Sequence, residues 1–172
     1  MRRSSLIIAL VVAVVAAPFV RAEDQPLSDE HLNVIRTNCI NAQPSFYRVQ
    51  QADKTARINR GYNYEMTLRL MVAFNSRAAL NRVDSPDLLT ITSNYERTLK
   101  EFTALYTQYD ENLSELAEFS CREQPTAFYD LLRTTRDQRA RLNVHVTDMD
   151  KRLNDYQKAV DAIKKNTGVA RS

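Results

Sequence analysis

The sequence predicts an all-α fold: an elongated antiparallel bundle of three long helices, preceded by a short N-terminal helix and packed like a coiled coil. Three observations point there. Apolar residues recur at 3-4 spacing through most of the chain. The 172 residues include only two Gly, too few for a fold built on tight turns, phosphate loops or dinucleotide-binding loops. Two proline-marked breaks, Asp84-Ser85-Pro86-Asp87 and Gln124-Pro125, divide the periodic stretch into long pieces. At 44% hydrophobic and 26% charged, the chain is too apolar to remain disordered.

Before the helices comes a segment of a different kind. Arg2 and Arg3 precede an apolar run from Leu6 to Ala17, Pro18 breaks it, and Val20-Arg21-Ala22 offers small or β-branched side chains to a signal peptidase. Residues 1–22 are therefore expected to be a cleaved signal peptide, with residues 23–172 forming a single exported helical domain. The apolar run is shorter than the roughly 20 residues a membrane span needs, so no transmembrane helix is expected after cleavage. The formal charge of +3 comes from 24 basic and 21 acidic residues. Arg2, Arg3 and Arg21 account for the whole excess, so the mature chain is neutral and no nucleic-acid partner is expected.

The helices follow in order. Ser28 is a suitable N-cap, with Asp29 and Glu30 in the first turn, and Leu32, Ile35, Cys39 and Ala42 continue at helical spacing. Pro44 lacks an amide donor. Either one helix kinks there or, the reading preferred, a short first helix stops near Ala42 and a second runs from Ser45 to Arg82 with Gly61 inside it. After Pro86, two seven-residue series interleave: Tyr95, Phe102, Tyr109 and Leu116 with Thr92, Leu99, Tyr106 and Leu113. That is an a/d seam over about four heptads. The last helix repeats it, with Phe128, Thr135, Leu142, Met149, Tyr156 and Ile163 beside Leu132, Arg139, Val146, Leu153 and Val160. Short connections make successive long helices antiparallel.

This topology brings Cys39 and Cys121 to one end of the rod, and an exported chain favours a disulfide between them. An intermolecular bridge or two buried thiols remain the alternatives. The flanks echo one another: Gln43-Pro44 resembles Gln124-Pro125, and Ala56-Arg57-Ile58-Asn59 resembles Ala140-Arg141-Leu142-Asn143.

Chemistry-bearing motifs are sparse. There are two histidines and no haem-attachment or nucleophile-elbow motif. His145 and Met149 stand at i, i+4, but Met149 falls in the core series. No catalytic residue, metal site or cofactor is expected. Two basic groups reach one level of the rod: Lys54, Arg57 and Arg60, and Arg133, Arg136, Arg139 and Arg141. Asp110, Glu111, Glu115 and Glu118 pass that level on the intervening helix. The first reading is interhelical ion pairing, and the second an anion-binding band for cell-wall polymers or lipid headgroups. Asp53 and Arg139 interrupt apolar series at neighbouring levels and are expected to meet as a register-setting pair.

The segments Asn38-Cys39, Arg57-Ile58-Asn59-Arg60-Gly61, Phe74-Asn75-Ser76-Arg77 and Cys121-Arg122-Glu123-Gln124-Pro125, the last continuing to Phe128-Tyr129-Asp130, resemble a family of exported helical proteins of candidate-phylum bacteria with small genomes. The resemblance implies export and paired cysteines, and it brings no activity. The expected function is a non-enzymatic structural or protein-interaction module of the bacterial cell envelope or extracellular space, binding another protein or its own copies. The alternative is an extracytoplasmic carrier or chaperone that holds an apolar or anionic ligand between helices.

Overall fold

The computed structural model describes residues 27–83 and 85–166. The expected signal peptide and Gly168 lie outside them. Three helices account for nearly all of this chain: α1 (Asp29–Leu80), α2 (Pro86–Glu118) and α3 (Pro125–Asn166), with no strand among the described residues.

The expected break at Pro44 does not occur. α1 continues through Pro44 as one helix of 52 residues, about 78 Å long, so there is no separate short N-terminal helix. Proline removes one amide donor, but side-chain attachments hold both flanks. Cys39 is tied to Cys121, Gln43 donates from Nε2 to the Phe119 carbonyl at 3.0 Å, and Phe46 meets Phe128 edge-on at 5.9 Å. These contacts anchor the helix on both sides of Pro44.

The helix ends follow from local chemistry. Ser28 caps α1 by accepting a bond from the His31 amide. At the far end the Val83 and Arg82 amides turn back to the Ala78 and Ala79 carbonyls, with Arg82 left-handed at φ 57°. This is a Schellman closure with arginine where glycine is usual. Pro86 opens α2 at its first position, and Ser85, its N-cap residue, makes no side-chain cap bond. α2 closes at Glu118, and a turn through Ser120–Gln124 leads to Pro125.

Cross-helix bonds fix directions. Along α1 the partners on α2 run backwards: Gln50 reaches Ser114 and Tyr64 reaches Tyr95, while Asn75 reaches Thr92. Asn112 on α2 bonds Gln138 of α3, and Thr98 bonds Asp148. Each of these pairs is antiparallel, and α1 runs parallel to α3. Both heptad series of α2 are fully buried, as are Phe128, Thr135, Leu142, Met149 and Tyr156 of α3. α2 packs against both neighbours, whereas α1 and α3 touch sparingly. Gly61 is approached by no other backbone: a Cβ there would meet only Arg57 Cγ, at 3.9 Å.

Candidate functional site

The sparse contact between α1 and α3 leaves a groove about midway along α1, with α2 as its floor. It measures about 380 Å³. Residues at i, i+3 and i+4 share one face of a helix, so Asp53, Ala56, Arg57 and Arg60 of α1 form one wall and Arg136, Arg139, Ala140 and Asn143 of α3 the other. The small Ala56 and Ala140 leave space between the walls. Phe102, Tyr106 and Tyr109 of α2 supply an aromatic floor, with Tyr64, Leu142 and Val146 towards one end.

The charges are only partly neutralised. Arg139 meets Asp53 at 3.1 Å, bringing together the two residues singled out as a register pair. Tyr109 donates its hydroxyl to the other Asp53 oxygen at 2.5 Å. Lys54 pairs with Asp110 at 3.5 Å. Arg57 lies over the Tyr106 ring, 4.7 Å from its centroid, a cation–π contact that leaves its charge without a carboxylate. Arg60 and Arg136 make no ion pair among the described residues. Of the basic band, Arg57, Arg60, Arg136 and Arg139 line the groove. Lys54 sits just beyond it, and Arg133 and Arg141 lie outside.

Three buried polar atoms at this level have no hydrogen-bond partner among the described residues: Arg57 Nε, Tyr106 Oη and Asp110 Oδ1. Burial raises the hydroxyl pKa of Tyr64, Tyr106 and Tyr109, and for Tyr109 the bond to Asp53 adds to it. These hydroxyls therefore stay protonated as donors well above neutral pH. Nothing here forms a nucleophile–base pair.

A second groove of about 640 Å³ opens farther along the same α1–α3 seam. Leu70, Met71 and Phe74 face Leu153, Tyr156 and Val160 across it. Tyr156 anchors its floor by donating to the Met71 carbonyl and Asn75 Oδ1 at 3.1 and 2.8 Å.

Cys39 and Cys121 form a disulfide, with Cα atoms 5.7 Å apart. Met149 is fully buried in the core, while His145 lies 3.9 Å from Glu101 on α2. The sequence reading missed the aromatic floor, because Phe102, Tyr106 and Tyr109 scored simply as seam residues. The available signal was their position at the level where both flanking helices carry arginines. It also missed the polar attachments of α1 through Gln50 and Asn75, which interrupt no obvious motif.

No family model matches the chain, and no curated protein or solved structure is detectably similar to it.

Proposed function

We propose that this chain is an exported, non-enzymatic interaction module of the bacterial cell envelope or extracellular space. On this reading it is an elongated antiparallel bundle with coiled-coil-like packing that presents α1 to a helix of another protein or of a second copy. The observation that carries it is the placement of exposed apolar side chains. Of twelve large hydrophobics exposed among the described residues, nine are on α1, which points to a single element as the contact surface. Ile40, Tyr47, Ile58 and Tyr62 are spaced by 7, 11 and 4 residues. Each step is close to a whole number of turns, so the four align on one face. A helix reads such a stripe by laying its own apolar face along it.

The disulfide suits an oxidising compartment, and no described helix is long and apolar enough to cross a membrane. The test is sedimentation velocity on disulfide-intact protein recovered from an exporting host, with intact mass checked for a chain beginning at Glu23. Concentration-dependent association that Ile58→Asp with Tyr62→Asp abolishes, without loss of helicity, supports the reading. A monomer at all concentrations that also yields no α1 crosslink in its native host refutes it.

A further inference from the structure

The two grooves of the α1–α3 seam differ in chemistry but follow one another in the same order on both helices. The first ends at Tyr64 and Val146, and the second begins at Thr67 and Leu153. The first is rimmed by Arg57, Arg60 and Arg136, none of which has a carboxylate partner among the described residues. The second is lined by Leu70, Phe74 and Val160, with Arg77, Asp161 and Lys164 at its far end. One end thus favours a negative charge and the other favours hydrocarbon.

From this juxtaposition we infer that the α1–α3 seam is a binding site for a long-chain fatty acid, its carboxylate held at the arginine rim and its acyl chain laid along the apolar groove. Guanidinium groups take carboxylates in bidentate fashion. Tyr106 is 8% exposed, and its hydroxyl has no partner among the described residues, so it offers a further donor on the groove floor. Asp53 and Asp110 stand at the same level, which favours a monoanion over a more highly charged phosphate. Length agrees too. From Arg60 to Leu70 the helix rises about 15 Å, and a single acyl chain occupies about half of a 30 Å bilayer core, roughly 15 Å. Leu70 is 66% and Phe74 36% exposed, and an acyl chain over them would remove that apolar surface from water. The site lies on the α3 side of α1 and does not depend on the outward Ile40–Tyr62 stripe.

The experiment is calorimetric titration of the disulfide-intact chain with octanoate, laurate and palmitate, each below its micellar threshold. Affinity is expected to rise at least tenfold from octanoate to palmitate. Arg60→Gln with Arg136→Gln, both without an ion pair among the described residues, is expected to weaken palmitate at least tenfold with helicity unchanged. Phe74→Glu is expected to flatten the chain-length dependence while leaving octanoate binding in place. Palmitoyl-lysophosphatidylcholine, with the same chain and a zwitterionic head, is expected to bind at least tenfold more weakly than palmitate. Equal affinity for octanoate and palmitate, equal affinity for the zwitterion, or no palmitate binding by a chain of native helicity would each overturn the assignment. Tighter binding of palmitoyl-lysophosphatidate would overturn the carboxylate headgroup.

Discussion

The seam between α2 and α3 and the attachment of α1 are built from different chemistry. Between α2 and α3, heptad positions such as Leu99, Leu113, Leu142 and Met149 are buried in an apolar seam, with Thr98, Thr135 and Gln138 as the polar minority beside them. α1 buries far less along its length: only Cys39, Gln50, Met71, Asn75 and Ala78 are fully covered. Beside partly buried apolar side chains such as Val49 and Leu68, it is held by the disulfide, by bonds that Gln50 and Asn75 donate, and by the bond Asp53 accepts from Tyr109. Hydrophobic burial is strong but non-directional, while a hydrogen bond adds only about 1 kcal/mol net yet requires one geometry. The α2–α3 hairpin therefore supplies most of the cohesion. The α1 attachments specify where the third helix lies, and they leave its remaining surface available for binding.

The sharpest way to break this contrast is to open the disulfide. Cys39 and Cys121 are 82 residues apart, and closing a loop of that size stabilises a fold by about 4 kcal/mol in the chain-entropy account. Cys39→Ser with Cys121→Ser is expected to lose about that much in urea unfolding. Hydrogen exchange should quicken first in α1, with α2 and α3 still protected. Uniform loss of protection over all three helices would mean that α1 is as much a part of the cohesive unit as the other two.

Next in size is the core of the hairpin. Leu116 is fully buried, and Leu116→Ala should cost about 3 kcal/mol through lost transfer energy and the cavity left behind. The control on α1 is Ile58→Ala. Its side chain is 70% exposed, so the change should stay within about 0.5 kcal/mol. Comparable losses at both positions would show that α1 is covered in solution, as it would be in a tight dimer.

The same contrast explains what was legible in the sequence. Heptad spacing marks Tyr95 through Leu116 and Phe128 through Tyr156 because an apolar seam writes a period into the chain. The cysteine pairing followed from topology, since two breaks bring those residues to one end. α1 was harder to read. Its apolar residues serve three purposes, as core (Met71), groove lining (Leu70) and exposed stripe (Ile58), so they carry no single period. Pro44 was read as a break because local propensity is visible in sequence, whereas the Gln43–Phe119 bond and the Phe46–Phe128 contact that carry the helix past it are not. The arginines of the site were legible as a band. Which of them line a groove depended on how α1 and α3 pack on α2, which no local pattern in the sequence records.

A third test uses alkali. Burial pushes the Tyr95 hydroxyl from its ordinary 10.0 up to about 12, and the same cause raises Tyr156. The folded chain therefore keeps these protons after the unfolded chain has lost them. Their contribution is full below pH 10 and declines as pH rises from 10 towards 12, by on the order of 2 kcal/mol for Tyr95. Far-ultraviolet circular dichroism followed against tyrosinate absorbance should show helix loss together with ionisation of the buried tyrosines. Tyr95→Phe should shift unfolding to higher pH in that window. Buried tyrosines that ionise with the helices intact would show the seams admitting water.

The smallest expected change in stability tests the part of the contrast that concerns specificity. Arg139 is 54% and Asp53 22% exposed at the side chain, so the pair contributes only about 0–1 kcal/mol. Replacing both with Leu should leave the urea midpoint nearly unchanged, or raise it slightly where apolar volume replaces charge. The effect belongs in the number of states. Tyr109 loses its acceptor, and α1 loses an attachment that distinguishes one turn of α3 from the next. Two-dimensional amide spectra should then show α1 signals doubled or broadened while α2 and α3 signals remain single. A lone, sharp set of α1 resonances would mean that Gln50 and Asn75 already fix the register and that the ion pair has no part in it. The arginine left over at the groove would then be explained by binding rather than by assembly.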